Sequence, residues 1–368
     1  MTYYFTIIVF WIILFYFGKK STTNKRLFFA ILPLFLIMAM KSVSVGSDTI
    51  SYFNRYINAE YMLTAEQTMT EPGFNLLCYF FHDILKMPFY VYNALISFLI
   101  CFILALFLKK FSSNIFQSLF LYMTIGLFSM SMSGMRQMLA ISICLIPIII
   151  AKEDEDYRNQ LHIHRLRRIL IGILCVGVAY TIHNSSVVFL PILFLMDIRL
   201  TKSQSVMIMI VAISTILFKS YLIEVISYFM LERYEKYDLY EGYAMNLLAL
   251  LVPIAIGLFC VVVSKPDNGK RKYSKFISQM FIFLALYVMF TIQGLNHIQI
   301  SRLGFFFMNA EVILIPYALK RLPFRSRPVV TLTIFFLCLL YFYLGTNEGT
   351  LKIDNYKFFW EEPIYLSN

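Results

Sequence analysis

The sequence predicts an all-α polytopic membrane protein with about twelve transmembrane helices. Hydrophobic residues make up 60% of its 368 residues, and charged residues only 14%. The apolar residues form continuous runs, without the alternation of apolar and polar positions that strands of a membrane barrel show. Because lipid offers backbone groups no hydrogen-bond partner, such runs must form helices. The same composition excludes a soluble chain folded around one core.

The apolar runs are taken here in chain order. The first run has no basic region before it and no small-residue cleavage site after it, which indicates a retained helix and not a signal peptide. Runs 137–151 and 186–196 are shorter than the ~17 residues that a helix needs to cross a bilayer, so tilt or local thinning must make up the length. The predicted spans are 2–17, 27–40, 89–108, 115–132, 137–151, 168–182, 186–196, 204–219, 246–264, 276–294, 303–319 and 329–344.

The net charge of +11 follows from the predicted topology. Most of the 32 basic residues fall in alternate loops that share one side, including loops 19–26, 152–168 and 265–275. The positive-inside rule makes that side cytoplasmic and places both termini outside. Membrane orientation therefore explains the basic excess, which implies no nucleic-acid surface.

One membrane domain is expected over residues 1–345, followed by an outer tail at 346–368. Two outer loops are long, at about 41–88 and 220–245, and residues 74–82 are amphipathic enough for a short interfacial or re-entrant helix. The six cysteines show no Cys-x-x-Cys spacing, so they predict neither a disulfide framework nor a metal site.

Isolated polar side chains gather at span ends that the topology places outside. Arg136 lies at the junction of the fourth and fifth spans, and His183, followed by Asn184, lies at the turn between the sixth and seventh. Arg302 lies between the tenth and eleventh spans, after a polar run that includes His297. An arginine within an apolar span costs roughly 2.5–3.5 kcal/mol on insertion scales, so it is usually retained for function.

A fourth polar element follows the second span. Its sequence predicts a helix start, with Ser47 as the N-cap and Asp48 in the first turn. At about 100° of rotation per residue, Tyr52 and Arg55 share a face with Asp48. The three side chains could present a phenol, a guanidinium and an acid to one pocket.

Each of these residues also has a structural explanation. An arginine near a span end can extend its guanidinium to the interface while its stem packs in lipid. His183 could be hydrogen-bonded within a turn, Asp48 could cap its helix, and Arg55 could be a solvated charge. The sequence leaves these alternatives open.

Other candidate sites are weaker. The acidic run 153–156 and the pair His162 and His164 lack further ligands at metal-site spacing, so they are interpreted as solvated and no metal site is expected. Glu311 is the acid deepest in a predicted span, but helical rotation places it opposite Arg302 unless the helix breaks.

Arginines, a histidine and an acid at the outer face suit an anionic substrate held in the membrane. The guanidinium fork binds phosphate oxygens in pairs and stays charged near lipid. Imidazole exchanges a proton near neutral pH. Because the outer face has no nucleotide-activated sugar, the substrate must arrive already activated, and a lipid diphosphate is such a substrate.

Five short motifs carry a resemblance to a known family. They are Val45–Thr49 with Tyr52, Glu71–Phe74, Met135–Gln137 with Ala140, His183–Ser186, and Ser301–Arg302 before an aromatic span. In this order they resemble the EpsG family of polysaccharide polymerases, related to Wzy-type O-antigen and capsule polymerases, over residues 1–345. The chain departs from the family pattern at Lys41, where an arginine is expected, and at Ser47, where a threonine is expected.

The resemblance implies a multipass glycosyltransferase of the broad GT-C type, acting at the outer face of the bacterial cytoplasmic membrane. It would join oligosaccharide repeat units carried on undecaprenyl diphosphate into exopolysaccharide, capsule or O-antigen, by metal-independent inverting transfer without a cofactor. Arg136 and Arg302 would hold the diphosphate, and His183 or Asp48 would accept the proton of the acceptor sugar. Further substrate-binding residues are expected at Gln137, Tyr52, Arg55, Glu71, Asn184 and His297.

The partners implied by the resemblance are the lipid-linked donor and acceptor, the bilayer, and candidate flippase and chain-length regulator proteins. Three other functions share part of the pattern. A flippase for the same lipid-linked repeat would line a central path with charge at the midplane. A membrane O-acyltransferase would need an acyl donor from the cytoplasmic side. A ligase that moves finished glycan to another acceptor would share the chemistry.

Overall fold

A computed structural model of the chain describes residues 2–17, 23–64, 71–155, 161–218, 221, 247–267, 270–296, 298–347 and 352–362. Within these residues the regular structure is helical, apart from two isolated antiparallel bridges, Lys41 with Phe358 and Thr201 with Lys272. The predicted all-α class is confirmed.

Each predicted apolar run coincides with a helix or with a pair of helices, and further short helices form between residues 49 and 84. The α-helices are α1 (Thr2–Phe17), α2 (Thr23–Ala39), α3 (Thr49–Ile57), α4 (Ala59–Thr64), α5 (Pro72–Tyr79), α6 (Phe89–Phe111), α7 (Ile115–Thr124), α8 (Leu127–Ser133), α9 (Met135–Glu155), α10 (Leu161–Ile182), α11 (Ile192–Leu195), α12 (Lys202–Ser214), α13 (Leu247–Val263), α14 (Lys275–Gln293), α15 (Ile298–Gly304), α16 (Asn309–Leu319) and α17 (Arg327–Asn347). A π-helix spans Phe80–Ile84, and 3-10 helices span Asn184–Phe189, Thr215–Phe218, Gly294–Asn296 and Phe359–Glu361.

Three helices in the described residues are long and apolar enough to cross a membrane: Phe89–Phe111, Lys275–Gln293 and Arg327–Thr346. The bent pair α7 and α8 makes a fourth candidate span. Most of the other predicted spans correspond to shorter apolar helices. The protein is therefore a helical membrane protein, while the twelve crossings and the GT-C architecture stay predictions.

Two predicted single spans are bent or interrupted. Run 115–132 forms α7 and α8, which meet at an angle of 55°. Gly126 between them has a φ of +118°, a left-handed conformation that residues with a Cβ rarely adopt. Run 186–196 is covered by a 3-10 helix and then α11, with Pro191 between them. Proline lacks the N–H that would continue a helix.

The prediction of one helix over run 303–319 is wrong. The first helix, α15, ends at Gly304, and the N–H groups of residues 305–307 donate to carbonyls three residues earlier, which forms a turn before α16. Arg302 and Glu311 are therefore on different helices, so helical rotation does not relate their positions.

Residue contacts divide the chain into two compact units. The first unit comprises Met1–Leu193 with Phe335–Asn368, and in it α9 packs against α6 and α10, and α6 packs against α2. The second unit comprises Phe194–Ile334, and in it α14 packs against α12, α13, α15 and α16. Arg136, His183 and Asp48 all belong to the first unit.

Candidate active site

The site in the first unit begins where α8 ends and α9 begins. Gly134 separates the two helices, and its N–H donates to the carbonyl of Met130 (2.7 Å). Arg136 is the second residue of α9, so its charge lies at a helix N-terminus, where the helix dipole disfavours a cation. A carboxylate near the guanidinium would offset this charge.

Glu71 supplies that carboxylate from the N-terminus of α5. Its φ is +63°, in the left-handed region that residues other than glycine seldom occupy, and Pro72 follows as the first helical residue. Gly73 lets α5 approach α10 closely, because a Cβ at this position would collide with Thr181. His183 directly follows α10, so this contact brings Glu71 to His183.

The side chains that meet here are called the Glu71 cluster, comprising Arg55, Glu71, Arg136 and His183. The Glu71 carboxylate accepts a hydrogen bond from Arg136 Nη1, and its Oε1 lies 2.8 Å from His183 Nδ1. Arg55 Nη1 lies 3.9 Å from Glu71 Oε2. The Glu71 side chain is only 11% exposed, so three basic groups surround one largely buried carboxylate.

Two aromatic rings lie close to the Arg136 guanidinium. The guanidinium carbon lies 5.1 Å from the centre of the Tyr52 ring and 5.3 Å from that of the Phe74 ring. Both aromatic residues are buried. Cation–π contacts of this kind stabilise a guanidinium that has lost part of its hydration.

The cluster carries an excess of positive charge. Burial by itself raises the pKa of Glu71, but the hydrogen bond from His183 and the charges of Arg136 and Arg55 outweigh burial and lower it below 4.5. Glu71 is therefore ionised at neutral pH. Burial, followed by the charge of Arg136, lowers the pKa of Arg55, although guanidinium groups remain charged in proteins. Two guanidinium groups thus face one carboxylate.

The prediction of Ser47 as an N-cap is wrong by one residue. The helix α3 begins at Thr49, and its N-cap is Asp48, which has helical backbone angles and makes no side-chain capping bond. A residue that caps a helix with its side chain normally has extended backbone angles, which Asp48 lacks. Ser47 Oγ instead lies 2.7 Å from Ser133 Oγ and donates to Asp48 Oδ1 (3.2 Å). The Asp48 carboxylate interacts electrostatically with Arg136.

Lys41, which occupies the position where the family pattern has an arginine, is buried next to the start of α3. Its side chain donates to Thr49 Oγ1 (3.0 Å) and to the carbonyl of Met132. Burial lowers the pKa of Lys41 to about 7, and the nearby charge of Asp48 opposes this change. The ammonium therefore joins the start of α3 to the end of α8.

The remaining predicted residues have different placements. Gln137 is buried beside Arg136 on α9, and Asn184 is the first residue of the 3-10 helix that follows His183. Arg302 is half-buried on α15 in the second unit, so its convergence with Arg136 stays a prediction. His297 lies outside the described residues.

The sequence pattern missed the central role of Glu71, which it assigned only to substrate binding. It also missed Phe74 as a surface for Arg136. One sequence signal could have found the pairing: a basic side chain held among apolar spans needs an acidic partner, and Glu71 precedes a helix beside an aromatic residue. In the part of the chain that the structure describes, no group of three or more His, Cys, Asp or Glu side chains could hold a metal ion.

Comparison with known proteins identifies the family. A family model described as the EpsG family matches residues 24–358, a range that includes the whole Glu71 cluster. The chain belongs to the EpsG family. No curated protein and no solved structure matches it. Membership of the EpsG family associates the chain with membrane polysaccharide biosynthesis and with glycosyltransferase activity of the polysaccharide-polymerase type.

Proposed function

We propose that this EpsG-family protein joins oligosaccharide repeat units carried on undecaprenyl diphosphate, at the outer face of the bacterial cytoplasmic membrane. The observation that carries the proposal is the Glu71 cluster, in which two guanidinium groups and an imidazole surround one carboxylate. Such a site can both bind an anionic group and exchange a proton. Those are the two tasks that glycosyl transfer from a lipid diphosphate requires.

Unsatisfied donors support anion binding. Arg55 Nη1 and Arg136 Nε are buried and have no hydrogen-bond partner among the described residues. A buried N–H without an acceptor is costly, by about 1–3 kcal/mol, and a phosphate oxygen would satisfy it. Because negative charge grows on the diphosphate as the anomeric bond breaks, fixed guanidinium groups stabilise the transition state more than the bound substrate.

His183 is the proposed general base. Its Nδ1 faces Glu71 Oε1 at 2.8 Å, so the carboxylate favours the tautomer that carries its proton on Nδ1. Nε2 is then the acceptor, as in other sites where a carboxylate orients a catalytic histidine. Asp48, which interacts electrostatically with Arg136, is the alternative base.

The proposed reaction is a single displacement. The acceptor sugar's hydroxyl oxygen attacks the anomeric carbon of the donor, and its proton passes to His183 Nε2. The bond between that carbon and the diphosphate oxygen breaks, and its electron pair stays with the lipid diphosphate. Attack opposite the leaving group inverts the anomeric configuration. The proton is later released from His183, which restores the site without a metal or a cofactor.

The proposal is tested with purified protein in lipid vesicles that contain the lipid-linked repeat unit. We expect His183→Gln and Arg136→Ala to remove chain extension, measured by the size of the glycan on a gel, at normal protein levels in the vesicles. A loss of about 100-fold or more fits removal of a general base. His82→Gln is the matched control, because His82 pairs with Asp83 and packs on Tyr56 outside the cluster.

The wild-type result also separates the competing functions. Transfer of finished glycan to a different acceptor, without longer chains, would indicate a ligase. Movement of the lipid-linked repeat across the vesicle membrane without extension would indicate a flippase. Full activity of Arg136→Lys would contradict paired binding of phosphate oxygens by a guanidinium fork.

A further inference from the structure

The last described residues, 352–362, are called the tail segment and lie along the residues that lead to Asp48. They include an antiparallel bridge between Lys41 and Phe358. Three main-chain hydrogen bonds join the two stretches: the Gly46 N–H to the Lys352 carbonyl (3.0 Å), the Ser42 N–H to the Lys357 carbonyl (2.9 Å), and the Phe359 N–H to the Met40 carbonyl (3.0 Å). The tail segment therefore pairs with residues 40–46 at both ends and in the middle.

Contacts with α1, α2, α6 and Ser42 fix the tail segment in place. Ile353 is fully buried, so this is a packed segment and not a solvated tail. The contacts are the Tyr4 hydroxyl to the Ile353 carbonyl (2.7 Å), the Tyr356 hydroxyl to the Ile37 carbonyl (3.0 Å), the Ser42 hydroxyl to the Glu362 carboxylate, and the stacked rings of Tyr90 and Phe359 (4.7 Å).

Glu362 forms the ionic part of this attachment. Its Oε1 accepts a hydrogen bond from Lys357 Nζ (2.9 Å), and its other oxygen accepts from Ser42. Burial by itself raises the pKa of Glu362, but these hydrogen bonds outweigh burial and lower it to about 2. The carboxylate is therefore charged throughout the physiological range.

Residues 46–49 form a turn that follows the stretch paired with the tail segment. This turn packs against the junction of α8 and α9. Gly46 has a φ of +92°, and a Cβ there would lie 2.5 Å from the Met132 carbonyl oxygen. Ser47 Oγ lies 2.7 Å from Ser133 Oγ. Arg136 follows Ser133 by three residues, so the same contacts relate Asp48 to Arg136.

We infer that the tail segment is part of the active-site scaffold: it fixes the turn at residues 46–49 and thereby sets the position of Asp48 relative to Arg136. The inference rests on the proposed function, which takes Asp48 and Arg136 as site residues. In this inference the tail segment acts through the turn, so its residues are positioning residues. The pairing spans more than 300 residues of sequence, which local sequence patterns cannot reveal.

A charge exchange tests whether the tail segment positions the turn. Glu362→Lys places two lysines together and removes the acceptor of Ser42, which should weaken the attachment. Ile353→Asp, made alongside it, puts a charge at a fully buried position of the tail segment and should weaken the attachment further. The readout is the rate of disulfide formation in full-length protein carrying Ser47→Cys and Ser133→Cys, with the cross-link identified by peptide mass because the chain has six native cysteines. Release of the turn should slow the reaction about tenfold by lowering the effective concentration of the two thiols.

Lys357→Glu combined with Glu362→Lys restores the ion pair with reversed charges and should return the cross-linking rate to that of the unaltered pair. Asp197→Lys is the matched control, because it breaks the Asp197 pair with Lys275 in the second unit (2.7 Å) and should leave the rate unchanged. An unchanged rate in both Glu362→Lys and Ile353→Asp would overturn the inference.

Activity is measured in the same charge variants without the added cysteines. Displacement of a catalytic group by about 1 Å can lower the rate about 100-fold, so Glu362→Lys should lose chain extension to that extent and the exchanged pair should regain it. Slower cross-linking with full chain extension would overturn the inference and leave the proposed function intact. If wild-type protein extends no chains, the proposed function fails, whereas the cross-linking rates still decide whether the tail segment positions the turn.

A locked variant tests whether the tail segment stays in place during turnover. Ser42→Cys with Glu362→Cys places two thiols on the side chains that face each other here, and because cysteine is shorter than glutamate, their disulfide draws the end of the tail segment toward residue 42. The reduced variant lacks the Glu362 carboxylate and should be as impaired as Glu362→Lys, whereas a fixed scaffold should regain activity when the disulfide is formed. No gain of activity on oxidation, with the disulfide confirmed by peptide mass, would show that holding the tail segment in place does not support the reaction, and this would overturn the scaffold role.

Discussion

The two units hold their largely buried carboxyl groups in opposite ways. In the first unit, Glu71 accepts a hydrogen bond from Arg136, faces His183 at 2.8 Å, and has Arg55 at 3.9 Å. In the second unit, Glu311 on α16 is 1% exposed, and its Oε1 has no hydrogen-bond partner among the described residues. An ionised carboxylate is costly to bury unless it is paired. Among the described residues, the buried carboxylate that cations surround is therefore in the first unit.

The second unit has other buried polar atoms in the same condition. Gln279 Nε2 and Asn309 Nδ2 are buried without a hydrogen-bond partner among the described residues. Unsatisfied polar atoms of this kind destabilise a fold by about 1–3 kcal/mol each. The comparison shows that the same residue type has two different environments. Glu71 is surrounded by basic side chains, whereas Glu311 is buried with one carboxyl oxygen unpaired among the described residues.

The largest effect is expected when Glu71 loses its charge. Glu71→Gln removes the carboxylate that both guanidinium groups face and leaves Arg136 with only the charge of Asp48 nearby, which should lower the free energy of unfolding by about 3–5 kcal/mol. Chain extension should be lost as well, because His183 loses the carboxylate that orients it. Thermal unfolding in detergent and the glycan assay measure the two effects.

The pH dependence of stability provides the control for this variant. The pKa of Glu71 is lowered in the folded protein, so its stabilisation is present above its unfolded pKa near 4.5 and is lost as the pH falls through the lower folded value. Glu71→Gln should remove this part of the acid unfolding curve. An unchanged acid curve would contradict the pairing.

The difference between the units explains what the sequence could and could not predict. Apolar runs predict helices because hydrophobicity is a local property, and every predicted run contains helix. The bend at Gly126 was not predictable, because nothing local distinguishes it from Gly177, which is an ordinary helical residue. Helix boundaries were also hard to predict. The start of α3 was predicted one residue too early, because the N-cap at Asp48 depends on backbone angles that the sequence does not show.

The candidate site was only partly predictable. Arg136 and His183 stand out as polar residues at the ends of apolar runs, and that signal is local. Their pairing with Glu71 is not local, because Glu71 lies 65 residues from Arg136 and 112 from His183. The tail segment is further still from the turn that it holds. Long-range packing, and not periodicity, creates these contacts.

The next largest effect should come from the turn that leads to Asp48. Gly46→Ala forces a Cβ into a left-handed residue, 2.5 Å from the Met132 carbonyl oxygen and 3.0 Å from Ser133 Cα. The free energy of unfolding should fall by about 1–3 kcal/mol. Calorimetry in detergent measures the change. The result would show whether the first unit depends on the left-handed conformation of Gly46 for its stability, in addition to its ion pairs.

Gly177→Ala is the matched control for that substitution. An added Cβ at Gly177, within α10, meets nothing within 4 Å. Alanine is favoured over glycine in a helix by roughly 0.5–1 kcal/mol, so this variant should be slightly more stable than the wild type. Equal destabilisation by both variants would contradict the close packing of Gly46.

A smaller loss of stability than at Glu71, or a gain, is expected at Glu311. Glu311→Gln makes the same chemical change as Glu71→Gln, but it removes no ion pair in the described residues. The free energy of unfolding should rise or change by less than about 1 kcal/mol, because an amide is less costly to bury than a carboxylate. Thermal unfolding under the same conditions measures it. If Glu311→Gln lowered the free energy of unfolding as much as Glu71→Gln does, Glu311 would have to be a paired carboxylate as well, and the contrast between the two units would be wrong.

The smallest effect is expected at Lys41, another buried basic residue of the first unit. Burial lowers the pKa of Lys41 to about 7, and the charge of Asp48 opposes this change. Above pH 7 the amine loses its proton and its attraction to Asp48, although it still donates to Thr49 and to the Met132 carbonyl. Chain extension should therefore fall only a few-fold as the pH rises through 7. Lys41→Arg stays charged, so its activity should not fall over this range.

Stability should move in the opposite direction to activity over this range. Because the folded pKa of Lys41 is below the unfolded value of about 10.4, the unfolded chain binds more protons between pH 7 and that value. The free energy of unfolding of the wild type should thus gain a rising contribution from Lys41 with pH, which Lys41→Arg lacks. Identical pH curves for the two proteins would show that Lys41 is not held as a buried, titrating cation, and the first unit would then owe its organisation to the Glu71 cluster alone.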